Sequence, residues 1–199
     1  MRGAVPNAPV ILKPHEPVAE RVLLPGDPGR ALRLATQLLD GPRMLNHHRG
    51  LWGYSGRAAD GELLTIQSTG LGGPSAAAVV AELCELGARR LVRVGTAAAL
   101  GDTPLGAIVV AGAALAADGA GRPLGAADRV DADEQLTTAL AAAAPASLVS
   151  VRRHTRPGAR GVVGATGRNR LRPDDRGGLR GRAPPRCVAG AVAARGPST

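Results

Sequence analysis

The chain has 199 residues, 44% of them hydrophobic, with 25 Lys and Arg against 16 Asp and Glu and two cysteines. That length is of the order of one domain with a real core. With no run of eighteen apolar residues and no apolar h-region near Met1, neither a membrane span nor a secretory leader is expected. Cys84 and Cys187 make neither a disulfide framework nor a zinc-site spacing, and a cytoplasmic location is the expectation.

The formal net charge of +9 points to a polyanion partner until it is located. Residues 151–199 hold twelve arginines and two aspartates, which leaves thirteen basic and fourteen acidic side chains for the first 150 residues. The surplus lies wholly in the last quarter. Two regions follow: residues 1–150, nearly neutral and patterned, and an Arg/Gly/Pro-rich tail, 151–199.

In chain order, Arg21-Val22-Leu23-Leu24 reads as a strand closed by the turn Pro25-Gly26-Asp27-Pro28. From Arg30 to Leu39, the apolar positions Ala31, Leu32, Leu34, Ala35, Leu38 and Leu39 mark a helical face. Leu51 to Ala58 and Leu63 to Ser68 flank Asp60-Gly61, a hairpin signal. Pro74 to Leu86 predicts a helix with proline near its first turn and Gly87 after its end. Residues 91–95 and 107–111 read as buried strands, and Asp133 to Ala143 as another helix. Strands alternating with helices imply a layered α/β domain around a parallel or mixed sheet.

Three glycine-containing turns close strands: Gly26-Asp27-Pro28-Gly29-Arg30, Gly70-Leu71-Gly72-Gly73-Pro74-Ser75 and Arg93-Val94-Gly95-Thr96. Ligand sites of open α/β sheets gather at carboxyl ends of strands, and glycine lets backbone N–H groups approach an anion. Arg30, Arg93 and Thr96 together can hold a phosphate, two through guanidinium forks and one through a hydroxyl. Each turn alone reads equally well as ordinary turn chemistry. Neither a P-loop lysine motif nor the three-glycine dinucleotide fingerprint is present.

Pro25-Gly26-Asp27-Pro28-Gly29-Arg30, Ser68-Thr69-Gly70-Leu71-Gly72-Gly73-Pro74-Ser75 and Leu91-Val92-Arg93-Val94-Gly95-Thr96 resemble, in order and spacing, three motifs of the nucleoside phosphorylase family. That family includes uridine phosphorylase and the bacterial hexameric purine enzymes. The resemblance covers roughly residues 17–142, and the Ser-Thr-Gly-Leu-Gly-Gly-Pro-Ser string with Asp118-Gly119 leans toward the uridine branch, the purine enzyme being the alternative. It implies a three-layer αβα fold with a central mixed sheet, here truncated. It also implies phosphorolysis of a nucleoside to free base and ribose 1-phosphate, with inorganic phosphate as co-substrate and no cofactor or metal. Position by position, Gly26 would offer its N–H to phosphate, Arg30 and Arg93 would bind its oxygens, and Thr96 would bridge phosphate and ribose. Leu71 would lie against the nucleoside, and Arg49 would reach the phosphate site of a neighbouring copy, making the protein a homo-oligomer. No catalytic acid or base is assigned.

The departures are as informative. The place of a histidine that relatives carry before the first strand falls near Val10, with His15 close but out of step. His47 and His48 read as ligands or as structural residues. Asp118 reads as a general base or as an Asx turn residue. Trp52 and Tyr54 read as packing residues on one strand face. After Ser150 no base-recognition or ribose-holding segment is visible, so the isolated chain is expected to turn over little substrate.

The tail admits two accounts. One is translation out of frame in a GC-rich gene, which matches its Arg, Gly, Ala and Pro bias. The other is a genuine disordered basic tail binding RNA or another polyanion, against which stand the missing aromatics and the missing Arg-Gly repeat.

Overall fold

The computed structural model describes residues 9–97, 108–115 and 128–143, and the backbone alone of strands 148–151 and 188–194. Strand β1 (Arg21–Pro25) runs into helix α1 (Pro28–Leu38) through a turn whose Asp27 caps the helix, its carboxylate accepting from Arg30 N–H at 2.6 Å. Pro28 follows the cap, where a missing N–H removes no helical bond. Strand β2 (Asp40–Asn46), a short 3-10 turn (His48–Gly50), β3 (Gly53–Arg57) and β4 (Leu63–Gln67) come next. Helix α2 (Gly72–Glu85) and β5 (Arg90–Thr96) complete the motif-bearing part.

Beyond it lie β6 (Ile108–Ala111), the small ribbon of β7 (Ala113–Leu115) and β8 (Arg129–Asp131), α3 (Glu134–Ala143), β9 (Leu148–Val151) and β10 (Val188–Ala194). The main sheet has the order β2-β3-β4-β1-β5-β10-β6-β9. It is mixed: β1 is parallel to both β4 and β5, whereas β3 is antiparallel to β2 and β4. The expected α/β class with a mixed sheet is what the chain forms.

Alternation along β1 builds the layers. Val22 and Leu24 face a cluster with Val79, Leu83 and Cys84 of α2, joined by Leu12 and Leu91. Leu23 points the other way and packs with Ala31 and Ala35 of α1, Leu39, Tyr54 and Ile66. The two helices therefore cover opposite faces of the sheet, and each buried aliphatic side chain contributes on the order of 1.5–3 kcal/mol. Of the helical face expected on α1, Leu32 and Leu38 are largely exposed; Ala31, Leu34, Ala35 and Leu39 turn inward. Trp52 and Tyr54 part company as well: Tyr54 enters the core, where burial raises its hydroxyl pKa, and Trp52 stays at the surface just before β3.

Strands β2, β7, β8, β9 and β10 lie outside the predicted elements. Strand β2 contains Gly41 and Pro42, and it survives as the sheet edge, with register irregularities on both sides of its Arg43–Met44 pairings. Within the tail, Val188–Ala194 was the one apolar stretch; its backbone lies between β5 and β6, parallel to the first and antiparallel to the second. Cys84 is not a free thiol, so the cysteines carry no argument about redox compartment. Among the described residues no helix is long and apolar enough to cross a membrane.

Candidate functional site

Strands β4, β1 and β5 are adjacent and parallel, so the three glycine turns that follow them meet at one end of the sheet. Their junction is tied by Thr69, whose N–H donates to Pro25 O at 2.9 Å. A Cβ on Gly26 would lie 2.8 Å from Nη2 of Arg93 and 3.4 Å from the Gly70 carbonyl. All three turns therefore touch at Gly26, and only a glycine leaves room for the guanidinium.

Arg93 is half-buried. Its Nη1 donates to Leu24 O at 2.7 Å and to Val94 O at 2.9 Å, which fixes the plane of the fork. Among the described residues no carboxylate pairs with it. Burial first, and then the neighbouring charge of Arg30, push the Arg93 pKa below its ordinary value. Two cations held side by side without an anion are unfavourable by themselves, and an anion between them relieves both the desolvation and the repulsion. Arg30 reaches this place from the first turn of α1, positioned by the Asp27 cap.

The Gly70 turn supplies a different element. Gly70 has φ +71 and Gly72 φ +83, both in the left-handed region that favours glycine. Ser75 Oγ donates to Thr69 O at 2.7 Å and lies 2.7 Å from where a Gly70 Cβ would be. The start of α2 has no side-chain cap and no acidic residue in its first turn, so its unpaired N–H groups and positive dipole end remain available. Leu71 is 94% exposed beside them. Thr96 closes β5, exposed at the same end of the sheet.

Arg49 stands apart from this group. It occupies the 3-10 turn between β2 and β3, with φ +58, and its side chain is exposed. Because Gly53 of β3 pairs with Gln67 of β4, the turn sits at the same sheet end as the glycine loops. Gln67 fastens it there: its amide donates to Leu51 O and Ser68 O, both at 2.9 Å. No bond among the described residues joins Arg49 to Arg30 or Arg93.

The three described histidines contact one another or the strap before β1. His48 Nδ1 lies 3.1 Å from Ile11 O, and His47 stacks on His15 with ring centroids 5.5 Å apart. Val10, at the place where relatives carry a histidine by the resemblance, is exposed. Asp118 lies outside the described residues. Asn46, Gln67 and Ser75 escaped the sequence reading: each is a polar residue at an unremarkable place, and only burial reveals what it bonds.

A three-layer α/β protein with a half-buried arginine packed against Gly26, and no carboxylate paired with it among the described residues, is the class that fold and site define. The chain belongs to the phosphorylase superfamily, whose family model matches residues 20–170. That match runs past the compositional boundary at residue 150. The purine nucleoside phosphorylase DeoD-type of Oceanobacillus iheyensis is 42% identical over 84 residues, 42% of this chain and 35% of that protein. The same-named proteins of Geobacillus kaustophilus and Clostridium perfringens are each 44% identical, over 84 and 81 residues, which are 35% and 34% of their lengths. The chain thus spans about a third of the curated relatives it matches. These names correct the leaning toward the uridine branch: the Ser-Thr-Gly string weighed there is one short loop, whereas the relatives match over a stretch several times longer.

Proposed function

We propose that this chain is the phosphate-binding part of a purine nucleoside phosphorylase, cleaving a purine nucleoside with inorganic phosphate to give the free base and ribose 1-phosphate. One observation carries the reading: Arg93 is wedged against Gly26 and pinned by two carbonyls, and among the described residues no carboxylate pairs with it beside Arg30. The names of the relatives support the purine base.

In this reading Gly26 N–H and the guanidinium groups of Arg30 and Arg93 hold the phosphate oxygens, and Thr96 bridges phosphate and ribose. Leu71 lies against the nucleoside, and Arg49 completes the phosphate site of a second copy, so the working unit is a homo-oligomer. A phosphate oxygen bonds to C1′ as the C1′–N9 bond breaks, and the bonding pair departs with the base, which takes a proton. Fixing the phosphate removes the entropy of a second reactant, and its negative charge stabilises the oxocarbenium-like sugar. No cofactor enters this scheme.

The test is phosphate titration followed by calorimetry or phosphorus NMR, with inosine and uridine compared in the presence of phosphate. Specific phosphate binding that Arg93→Ala abolishes, with inosine favoured, is the expected result. Binding insensitive to Arg30 and Arg93 overturns the site, and a clear preference for uridine overturns the purine reading.

A further inference from the structure

Asn46 is fully buried, and its side chain is used at both ends. Oδ1 accepts from Lys13 N–H at 2.9 Å, while Nδ2 donates to Leu51 O at 2.5 Å and more weakly to His48 O at 3.4 Å. The two carbonyls bracket Arg49 and Gly50, which have φ +58 and +70. Gly50 N–H bonds to His47 O at 3.2 Å and Leu51 N–H to His48 O at 3.1 Å, closing the turn from the backbone side.

The acceptor end of Asn46 leads to a strap, residues 10–13, that is itself held. Glu82 of α2 takes three successive backbone N–H groups, those of Val10, Ile11 and Leu12, at 2.8, 2.8 and 2.7 Å. Leu12 is buried in the α2 cluster, and Ile11 O receives His48. Arg49 thus projects from a turn whose inner side is fastened to the strap through Asn46 and His48, and through the strap to α2. A left-handed conformation at a non-glycine residue is unfavourable and persists only where its surroundings impose it.

We propose that Asn46 is the positioning residue for Arg49: its buried amide imposes the left-handed turn and so sets where the guanidinium reaches. This inference rests on the reading of Arg49 as a phosphate ligand of a second copy, and it adds the device that aims it. A long arginine side chain on a loose turn would lose rotamer and backbone freedom on each binding event; the amide removes the backbone share in advance.

Two readouts on the full chain test it. Trypsin binds its substrate extended, so cleavage at Arg49–Gly50 requires the turn to open. Asn46→Ala and the near-isosteric Asn46→Asp, which drops both donated bonds, are expected to speed that cleavage about tenfold, as followed by mass spectrometry well below the melting midpoint. Ala35→Gly, a core change in α1 on the opposite face of the sheet, lowers the midpoint and should leave this cleavage unchanged. Cleavage unmoved by both Asn46 variants, or raised equally by Ala35→Gly, overturns the proposal.

The second readout is phosphate affinity at protein concentrations high enough for self-association. Asn46→Ala should weaken it as much as Arg49→Ala, and the double variant should be no weaker than Arg49→Ala alone. Additive losses overturn the coupling. If Arg30 and Arg93 variants also leave affinity untouched, the phosphate reading itself has failed, whereas an effect at Arg93 with none at Asn46 sinks this inference alone.

Discussion

Arg93 and Arg49 place a cation at the same end of one sheet by opposite means. Arg93 rises from the interior strand β5, half-buried, with its fork held by the carbonyls of Leu24 and Val94 and its outer nitrogen against Gly26. Its side chain is fixed and its backbone is ordinary strand. Arg49 has an exposed side chain on a backbone held in a left-handed turn by a buried asparagine. In the proposed reading, the group that serves its own chain's ligand is fixed at the guanidinium, whereas the one that reaches outward is fixed at the backbone.

The contrast breaks most completely at Arg93. Arg93→Ala should lower phosphate affinity by roughly a hundredfold, the loss of charge-assisted hydrogen bonds at a desolvated site. Its melting midpoint should hold or rise, because a half-buried cation with no carboxylate partner among the described residues disappears. A fall in midpoint with unchanged affinity would show Arg93 to be a structural clamp. Arg93→Lys should recover only part of the binding, since an ammonium cannot span both carbonyls and an anion with a planar fork.

Gly26→Ala comes next in size. The added methyl meets Arg93 Nη2 at 2.8 Å, so the guanidinium must shift, and an affinity loss of about tenfold is expected in the same titration with little change in melting. Arg49→Ala should match that loss only where copies associate, and should vanish on dilution. Equal loss at every protein concentration would place Arg49 in its own chain's site.

The smallest effect lies at an ion pair away from the site, which sharpens the comparison as a surface control. Arg21 binds Asp60 through both terminal nitrogens at 2.5 and 2.9 Å, joining β1 to the β3–β4 turn. The hydrogen bond from Arg21, then the Glu62 backbone N–H, lower the Asp60 pKa from 3.8 to about 2. A depressed carboxylate stabilises the fold above its unfolded pKa, and that contribution fades as pH falls from about 4 through about 2. Asp60→Asn should therefore lower the melting midpoint slightly at pH 7, by less near pH 2, and not at all well below it. Asp60 is exposed, so the shift is small at either salt extreme and smaller at high salt.

Much of this was legible beforehand where local chemistry and periodicity agreed. The Pro25 to Arg30 string reads as strand, turn and helix, and the structure adds that Asp27 caps the helix and Pro28 opens it two residues before the expected start. The Asp60-Gly61 dipeptide gave the β3–β4 hairpin, and the Gly70 to Ser75 loop gave the start of α2 to within two residues. Strand β2 was not legible, since Asp40-Gly41-Pro42-Arg43 has no alternation and only edge pairing tolerates it. The loop string that leaned toward the uridine branch finds no support in the names of the relatives, because it is short and many of its residues serve the turn.

By itself the sequence determined the α/β class, the three glycine turns, the identity of Arg30, Arg93 and Thr96, and the confinement of the surplus charge to residues 151–199. Those follow from interactions between near neighbours in the chain, where period, capping and turn chemistry act. The tertiary structure alone decided that the turns converge, that Arg93 is fixed by Leu24 and Val94, and that Asn46 is buried beneath Arg49. These depend on strand order and on contacts across tens of residues, where an asparagine's role is set by which carbonyls the fold brings to it.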